Sequence, residues 1–166
     1  MNRDAPVDFQ LGEFLPYLVN RVGVRMVRAF QPELDRFGVS LGMWRVLAAL
    51  WRSDGTRLVD LALRTSIEVS TLSRTVSALR RRGLVRSLRK GTDAREISIA
   101  LTAKGRVLTG QIIPMALDYE ARMAKAISLR EGAELRKLLN HLYRNLADLE
   151  GAAAMPSQRV GSTAGD

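Results

Sequence analysis

The sequence predicts a mainly α-helical fold with one small β-hairpin. Apolar residues recur at every third or fourth position over most of the chain, which is the spacing of amphipathic helices. Residues 86–101 instead carry two short apolar runs around a polar turn, as the strands of a hairpin do. After Gly151 the composition falls to Gly, Ala, Ser and Pro, which predicts a disordered tail over residues 151–166.

The composition excludes several kinds of functional site. The 166 residues, 46% of them hydrophobic, suit one ordinary folded domain. The chain has no cysteine and one histidine, His141, which excludes a disulfide framework and the common zinc sites. We therefore expect no cofactor and no metal. No apolar run approaches the roughly 18 residues of a membrane span, so we expect a cytoplasmic protein.

The N-terminal part predicts two helices. Residues 11–30 have the pattern of an amphipathic helix, and we expect Pro32 to interrupt it because proline lacks the amide hydrogen that a helix interior needs. A short helical turn should follow before Gly38. Ser40 is the predicted N-cap of the second helix, which ends at a turn over residues 53–56.

Most of the positive charge lies in the next part of the chain. The net charge is +9, and residues 57–106 contain twelve Lys or Arg and four Asp or Glu, so they account for +8 of it. Such a patch suits a polyanion, because the release of phosphate counterions gives affinity for any nucleic acid. A solvated basic face that aids solubility is the alternative, and charge alone does not decide between the two.

Two short helices are predicted in this basic segment, with a break near residues 66–69. Ser70 is the predicted N-cap of the second helix, and Gly83 lies where a left-handed C-cap is needed. The outward face of the second helix has hydroxyls and cations but no acidic side chain, although exposed helices stabilised by ion pairs mix Glu with Lys. This face consists of Ser70, Thr71, Ser73, Arg74, Ser77, Arg80 and Arg81.

A hairpin and two long helices complete the predicted fold. The strands are residues 84–88 and 96–101, and the alternation within the second strand predicts one buried face. Thr102 is the predicted N-cap of a long helix, which Pro114 should kink unless a neighbour bonds the freed carbonyl. The last helix covers residues 130–150. The predicted apolar stripes are Val107, Leu108, Ile112, Met115, Tyr119 and Met123 in the first helix and Leu135, Leu138, Leu142, Leu146 and Leu149 in the second.

Two short helices, a two-stranded ribbon and a long helix follow one another as in a winged helix-turn-helix. In that motif the second helix lies in the major groove of DNA. Short hydroxyl side chains let its backbone approach the base edges, and Arg74 can donate two hydrogen bonds to guanine. Arg80, Arg81 and Arg82 can reach phosphates on either side, and Arg86 is a further predicted DNA contact.

The tip of the hairpin is predicted to contact the minor groove. Arg89 and Lys90 can lie along the DNA backbone, and Arg95 is the side chain expected to enter the groove. Asp93 is expected to hydrogen-bond the turn and to hold Arg95 in place. An exposed hairpin with a local Asp–Arg pair is the alternative, but its position after the helix pair favours DNA binding.

The chain resembles the multiple antibiotic resistance regulator (MarR) family of bacterial transcription factors over residues 11–149. The resemblance is most specific in VSTLSRTVSALRRRGLV, in Asp93-Ala94-Arg95 and in ISIALTAKGR. It implies an obligate homodimer in which terminal helices interlock and two winged domains straddle a palindromic DNA site. It also implies repression that a small, commonly aromatic or phenolic, ligand relieves. Ala94 departs from the basic residue frequent at this position, which weakens a phosphate contact and leaves the assignment of Arg95 unchanged.

A homodimer is also expected from the residues themselves. The helices predicted at residues 11–30, 102–127 and 130–150 have larger apolar stripes than a small winged domain can cover. Pairing across a two-fold axis would bury them and would place half-sites about 10 bp apart. An intrachain helical bundle is the alternative. The predicted division is an N-terminal dimerisation segment (1–37), a DNA-binding domain (38–101), C-terminal dimerisation helices (102–150) and the tail (151–166).

A ligand site is the least specific of these predictions. Aromatic and methionine side chains could line a cleft between the helical and winged regions, with an arginine to pair with an anionic ligand. Such residues at helical spacing are more often simple core, which is the alternative. The candidates are Tyr17, Arg21, Arg25, Met43, Trp44, Met115, Tyr119 and Met123.

These observations favour a homodimeric repressor that binds double-stranded DNA and is released by a small molecule. An enzyme is disfavoured, because the sequence has no Gly-rich phosphate loop, nucleophile elbow or paired histidines, and His141 lies on a leucine-rich helix where a structural role is expected. A nonspecific architectural or RNA-binding protein would need the basic patch but would leave the hydroxyl face unexplained.

Overall fold

The computed structural model of the chain describes residues 8–53, 55–89 and 97–154. These residues confirm the predicted fold class, a mainly helical chain with a small antiparallel sheet, and the chain divides into two compact units, Met1–Tyr119 and Glu120–Asp166. The elements are α1 (Leu15–Asp35), α2 (Leu41–Leu50), β1 (Thr56–Arg57), α3 (Leu58–Thr65), α4 (Val69–Arg81), β2 (Val85–Arg89), β3 (Ile97–Leu101), α5 (Ala103–Met123) and α6 (Leu129–Ala154).

The first helix differs from its prediction at both ends. It begins at Leu15 rather than at residue 11, and it continues through Pro32 to Asp35 without interruption. Pro32 has no amide hydrogen to donate to the carbonyl of Arg28. Both residues are exposed, so solvent can hydrate that carbonyl. The predicted stop is confirmed, because Gly38 has a φ of +62° and the amide of Val39 donates to the carbonyl of Leu34 at 3.1 Å.

The sheet has three strands in the order β1-β3-β2, one more than predicted. The turn predicted over residues 53–56 gives way at Thr56 to β1, whose two residues are too few for a periodic pattern. Four of the five residues of β3, on both faces of the strand, are buried, and Ile97 is exposed. The predicted single buried face of this strand is therefore wrong.

The core of the first unit is built from the inner faces of α2, α3 and α4 together with Leu34 and the strands. The inner faces of the two short helices, Leu61 and Ala62 in α3 and Leu72, Val76 and Leu79 in α4, are buried. Full burial of each leucine stabilises the fold by about 1.5–3 kcal/mol. Side chains with no exposed surface are Leu34, Val46, Leu47, Leu50, Leu61, Leu72, Leu79 and Ile112.

The two long helices are confirmed with altered details. Helix α5 runs without a break through Pro114, and Thr102 caps it by accepting the amide of Gly105 at 3.0 Å. In its predicted stripe, Ile112 is buried and Leu108, Met115 and Tyr119 pack against the core, whereas Val107 and Met123 are exposed in the single chain. Val107 lies about 100° around the helix from Leu108, so the two do not share one side.

Helix α6 extends beyond its predicted end. It reaches Ala154, so the predicted tail cannot begin at Gly151, and residues 155–166 lie outside the described part of the chain. Four leucines of its predicted stripe are exposed, from 44% at Leu135 to 65% at Leu149, and Leu142 is half-buried. Within the described residues, no helix is both long and apolar enough to cross a membrane.

Candidate nucleic-acid interface

The turn between α3 and α4 sets the start of the candidate recognition helix. Helix α3 ends at Ser66, which has a left-handed conformation with a φ of +51°. Glu68, not the predicted Ser70, is the N-cap of α4, and its carboxylate accepts the amides of Ser70 and Thr71 at 2.9 and 3.1 Å. A carboxylate can take this role because the free amides and the positive end of the helix dipole both attract it.

The hydroxyl of Ser70 also donates to the Glu68 carboxylate. This hydrogen bond and the two amides, helped by the charge of Arg74, hold the pKa of Glu68 below its usual range. The hydroxyl of Ser70 therefore takes part in the capping of α4.

The outward face of α4 matches the prediction in composition and exposure. Ser77 is half-buried, and the other predicted residues of the face are exposed. The side chains of Arg80 and Arg81 make no hydrogen bond or ion pair with another residue in the described ranges, so their guanidinium groups are available to an anion. The exposed members are Ser70, Thr71, Ser73, Arg74, Arg80 and Arg81.

Arg82 departs from its predicted role as a phosphate contact. Its guanidinium donates to the carbonyl oxygens of Gly38 at 2.6 Å and Phe37 at 3.3 Å, and it lies 3.5 Å from the sulfur of Met43. These groups are in the turn after α1 and the first turn of α2. In the described structure this side chain therefore serves the internal structure.

The hairpin is described as far as its strands. Strand β2 pairs with β3 from Val85, opposite Leu101, to Arg89, opposite Ile97, and Arg86 is exposed on it. The side chain of Arg89 and the predicted tip residues Lys90, Asp93 and Arg95 lie outside the described residues.

The predicted ligand residues do not line one cavity. A groove of about 920 Å³ runs along α1 and α2, and Tyr119 is the one predicted candidate among the residues that line it. Met43, Trp44 and Met115 pack against the core, as the alternative interpretation expects. Tyr17 is half-buried on α1, Arg21 and Arg25 are exposed there, and Met123 is exposed on α5.

The aromatic residues near this groove form a cluster. The rings of Phe30 and Tyr119 lie 4.8 Å apart, those of Phe30 and Trp44 lie 6.4 Å apart, and the Tyr119 hydroxyl donates to the carbonyl of Met26 at 2.9 Å. The groove itself is lined by Asn20, Gly23, Val24, Met26, Val27, Arg28, Phe30, Gln31, Pro32, Asp35, Leu41, Arg45 and Tyr119.

Metal-binding geometry is absent from the part of the chain that the structure describes. No group of three or more His, Cys, Asp or Glu side chains converges within residues 8–53, 55–89 and 97–154. His141 is exposed on α6, so burial gives it no structural role within one chain.

Comparisons with known proteins agree on one family. A sequence profile of the MarR family matches residues 39–97. The crystal structure of a MarR family transcriptional regulator from Silicibacter pomeroyi is 31% identical and has a TM-score of 0.72, covering 82% of this chain and 92% of that one.

Two curated relatives are also similar in sequence. The HTH-type transcriptional regulator TtmR of Methylorubrum extorquens (strain PA1) is 32% identical over 51% of this chain, and this chain spans 44% of its length. The homoprotocatechuate degradative operon repressor of Escherichia coli is 28% identical over 72% of this chain and 78% of that protein.

The fold, the basic outward face of α4 and the relatives lead to the same identification. The relatives are transcriptional regulators and not enzymes, in agreement with the sequence interpretation. The chain belongs to the MarR family of transcriptional regulators.

Proposed function

We propose that this regulator is a homodimeric repressor that binds a palindromic operator, with α4 of each chain in a major groove and each hairpin in an adjacent minor groove. The observation that carries the proposal is the outward face of α4, which has hydroxyls and arginines and no acidic side chain from Val69 to Arg81. Helix stability does not explain such a face, because a face stabilised by ion pairs would mix acidic with basic residues. A polyanionic partner does explain it.

The residues of α4 divide into two proposed roles. Thr71, Ser73 and Arg74 occupy the first half of the helix, where a recognition helix contacts base edges, and the Arg74 guanidinium can donate two hydrogen bonds to guanine. Arg80 and Arg81, at its C-terminal end, hold the protein on the phosphates without reading sequence. Ser70 and Ser77 have short side chains, which let the backbone of α4 come close to the DNA. Arg86 adds a cation on β2.

The hairpin tip retains its sequence-based role in the proposal. Arg89, Lys90 and Arg95 supply cations to the DNA backbone and the minor groove, and Asp93 supports the turn. The pairing of β2 with β3 up to Arg89 and Ile97 supports a ribbon that projects these residues together.

Exposed apolar side chains support the dimer. In the second unit, Leu138, Leu146 and Leu149 are more than half exposed on α6. In the first unit, Leu15, Val19 and Val22 are exposed on α1. A second copy of the chain would remove both sets from water, which contributes about 25 cal/mol for each Å² of apolar surface buried.

The proposal also includes repression of transcription and release of the protein from DNA by a small ligand. A relative that is named as an operon repressor supports repression. The groove along α1 and α2 supports a small-molecule site, because its 920 Å³ falls within the range of ligand pockets and most of its lining is apolar. A repressor of this kind would act on chromosomal DNA in the cytoplasm.

Selection of bound duplexes from a random pool tests the proposal. We expect a palindromic consensus, a dimer by light scattering, and preference for the selected operator over unrelated DNA by about a thousandfold or more. A nonspecific architectural protein would instead bind all duplexes alike with the same steep salt dependence. That result would reject the proposed function in favour of the alternative.

A further inference from the structure

The Arg82 side chain joins two elements that make no extensive contact of their own within the described residues. Helices α1 and α4 each pack on α2 rather than on one another. The two guanidinium hydrogen bonds of Arg82 connect the residue directly after α4 to the turn directly after α1. The sequence distance spanned is 44 and 45 residues, so these are tertiary contacts and not local capping.

The turn after α1 is shaped to receive this side chain. Gly38 has a φ of +62°, a conformation that side chains disfavour, and its carbonyl accepts the shorter of the two hydrogen bonds. Carbonyls beyond a helix C-terminus lack amide partners and carry the negative end of the helix dipole, which favours a cation there. Arginine fits because its planar fork can serve two carbonyls at once, whereas a lysine ammonium is a compact point charge.

The turn after α4 is also held by the start of α5. Lys104 donates to the Arg82 carbonyl at 3.1 Å, and the Thr102 hydroxyl donates to the Gly83 carbonyl at 2.6 Å. Helix α5 approaches so closely that a Cβ added at Gly105 would lie 1.9 Å from the Leu84 carbonyl oxygen. The C-terminal end of α4 is thus fixed between the turn after α1 and the first turn of α5.

We propose that Arg82 is a positioning residue for DNA reading, which sets the angle of α4 and makes no phosphate contact of its own. The proposal rests on the proposed function of α4 as the recognition helix. Over the 13 residues of α4, about 20 Å long, a tilt of about 5° at the C-terminal end moves the N-terminal end by nearly 2 Å. Base contacts tolerate errors of only about 0.5 Å, whereas phosphate contacts by long side chains tolerate more.

Matched substitutions distinguish positioning from phosphate binding. Arg82→Met keeps the apolar stem and removes the guanidinium, and Arg80→Met makes the same change on an exposed residue two positions earlier. The affinity of each variant is measured by fluorescence anisotropy on the selected operator and on an unrelated duplex, over a range of salt concentrations. The ratio of the two affinities reports base reading, and the salt slope reports phosphate contacts.

For Arg82→Met we expect operator affinity to fall about tenfold, with affinity for unrelated DNA and the salt slope unchanged. For Arg80→Met we expect both affinities to fall together and the salt slope to drop by about one, with the ratio unchanged. Arg82→Lys, which keeps the charge and one contact, should restore part of the ratio. A loss of stability alone would lower the melting temperature and leave the affinity ratio of the folded dimer unaltered.

Two results overturn the proposal. One is an unchanged affinity ratio in folded Arg82→Met, and the other is a salt slope that falls as it does for Arg80→Met. If Arg82→Met does not fold, Arg82→Gln takes its place in the same titrations, with a lowered ratio in support and an unchanged ratio against. A wild-type protein that does not prefer its selected operator would instead reject the proposed function, so the two failures are distinguishable.

Discussion

Helices α4 and α6 have the same kind of amphipathic pattern but leave opposite faces uncovered. In α4 the apolar face is covered, since Leu72 and Leu79 have no exposed surface, and on the polar face the side chains of Arg80 and Arg81 have no partner among the described residues. In α6 the polar face forms ion pairs, such as that of Arg136 with Glu120 of α5 at 2.7 Å, and the leucine stripe is exposed. The uncovered faces therefore call for different partners, a polyanion for α4 and an apolar surface for α6.

The two helices are also capped by carboxylates in different ways. Glu68 is itself the N-cap of α4. At the start of α6, Ser128 and Glu131 cap each other, because the Ser128 amide and hydroxyl donate to Glu131 at 2.8 and 2.6 Å, and the Glu131 amide donates to the Ser128 hydroxyl at 3.3 Å. These hydrogen bonds lower the pKa of Glu131, as those at α4 lower the pKa of Glu68.

The largest effect is expected from a charge in the leucine stripe of α6. Leu138 is 51% exposed in the single chain, and Leu138→Glu would place a carboxylate in the proposed dimer interface. We expect a monomer by light scattering and an operator affinity about a hundredfold or more below wild type, because the two half-sites are then bound independently. Ala147→Glu, on the exposed side away from the stripe, is the control and should stay dimeric. A Leu138→Glu dimer with wild-type affinity would remove α6 from the interface.

The next effect concerns base reading by α4. Arg74→Ala should reduce operator affinity by about tenfold to a hundredfold and relax the preference at one base pair of each half-site. Affinity for unrelated duplexes should fall far less, and competition titrations on both duplexes measure the difference. Equal losses on the two duplexes would assign Arg74 to phosphate contact instead.

A smaller effect is expected at the hairpin tip. Arg95→Ala should lower operator affinity more than Arg89→Ala does, because a cation inside a narrow minor groove meets a stronger potential than one along the backbone. Both variants should remain dimeric in light scattering, since neither residue belongs to a terminal helix. Operator binding by Arg95→Ala that equals wild type would exclude this residue from the interface.

The smallest effects are expected at the two helix caps. Glu68→Gln and Glu131→Gln should each lower the melting temperature slightly at pH 7. Because the pKa of each carboxyl is lowered in the folded chain, its stabilisation is complete above the ordinary pKa and is lost as the pH falls through the lowered one. Each difference from wild type should therefore disappear in acid.

DNA binding should separate the two cap variants. Glu68→Gln removes a negative charge from the start of α4 and should raise affinity for unrelated DNA slightly, whereas Glu131→Gln should leave it unchanged. Equal effects of both variants on DNA affinity would contradict the proposal that α4 lies against DNA and α6 does not.

Periodicity predicted the helices and their inner faces because burial repeats at the helical spacing. It could not predict which apolar stripe one chain covers, and it placed Val107 on one side of the helix with Leu108, although consecutive helical residues lie about 100° apart. Pro32 and Ser70 were misjudged for local reasons: an exposed carbonyl tolerates a lost hydrogen bond, and a carboxylate two residues before Ser70 outcompetes its hydroxyl.

The arginine run shows what sequence cannot resolve at the candidate site. Arg80, Arg81 and Arg82 are chemically identical neighbours, and only the chain path at Gly83 and the carbonyls after α1 separate the third from the other two. Strand β1 was missed because two residues carry no period, and its pairing with β3 depends on a distant part of the chain.

In the proposed complex, two copies of α4 are held at a fixed spacing over two half-sites. Inserting 5 bp between the half-sites of the selected operator rotates one of them by about half a turn and leaves every base contact intact. We predict that the dimer binds this duplex about a hundredfold more weakly than the operator, while 10 bp inserted restores part of the loss through the recovered phase. Equal affinity for the operator and the 5-bp insertion duplex would contradict the account.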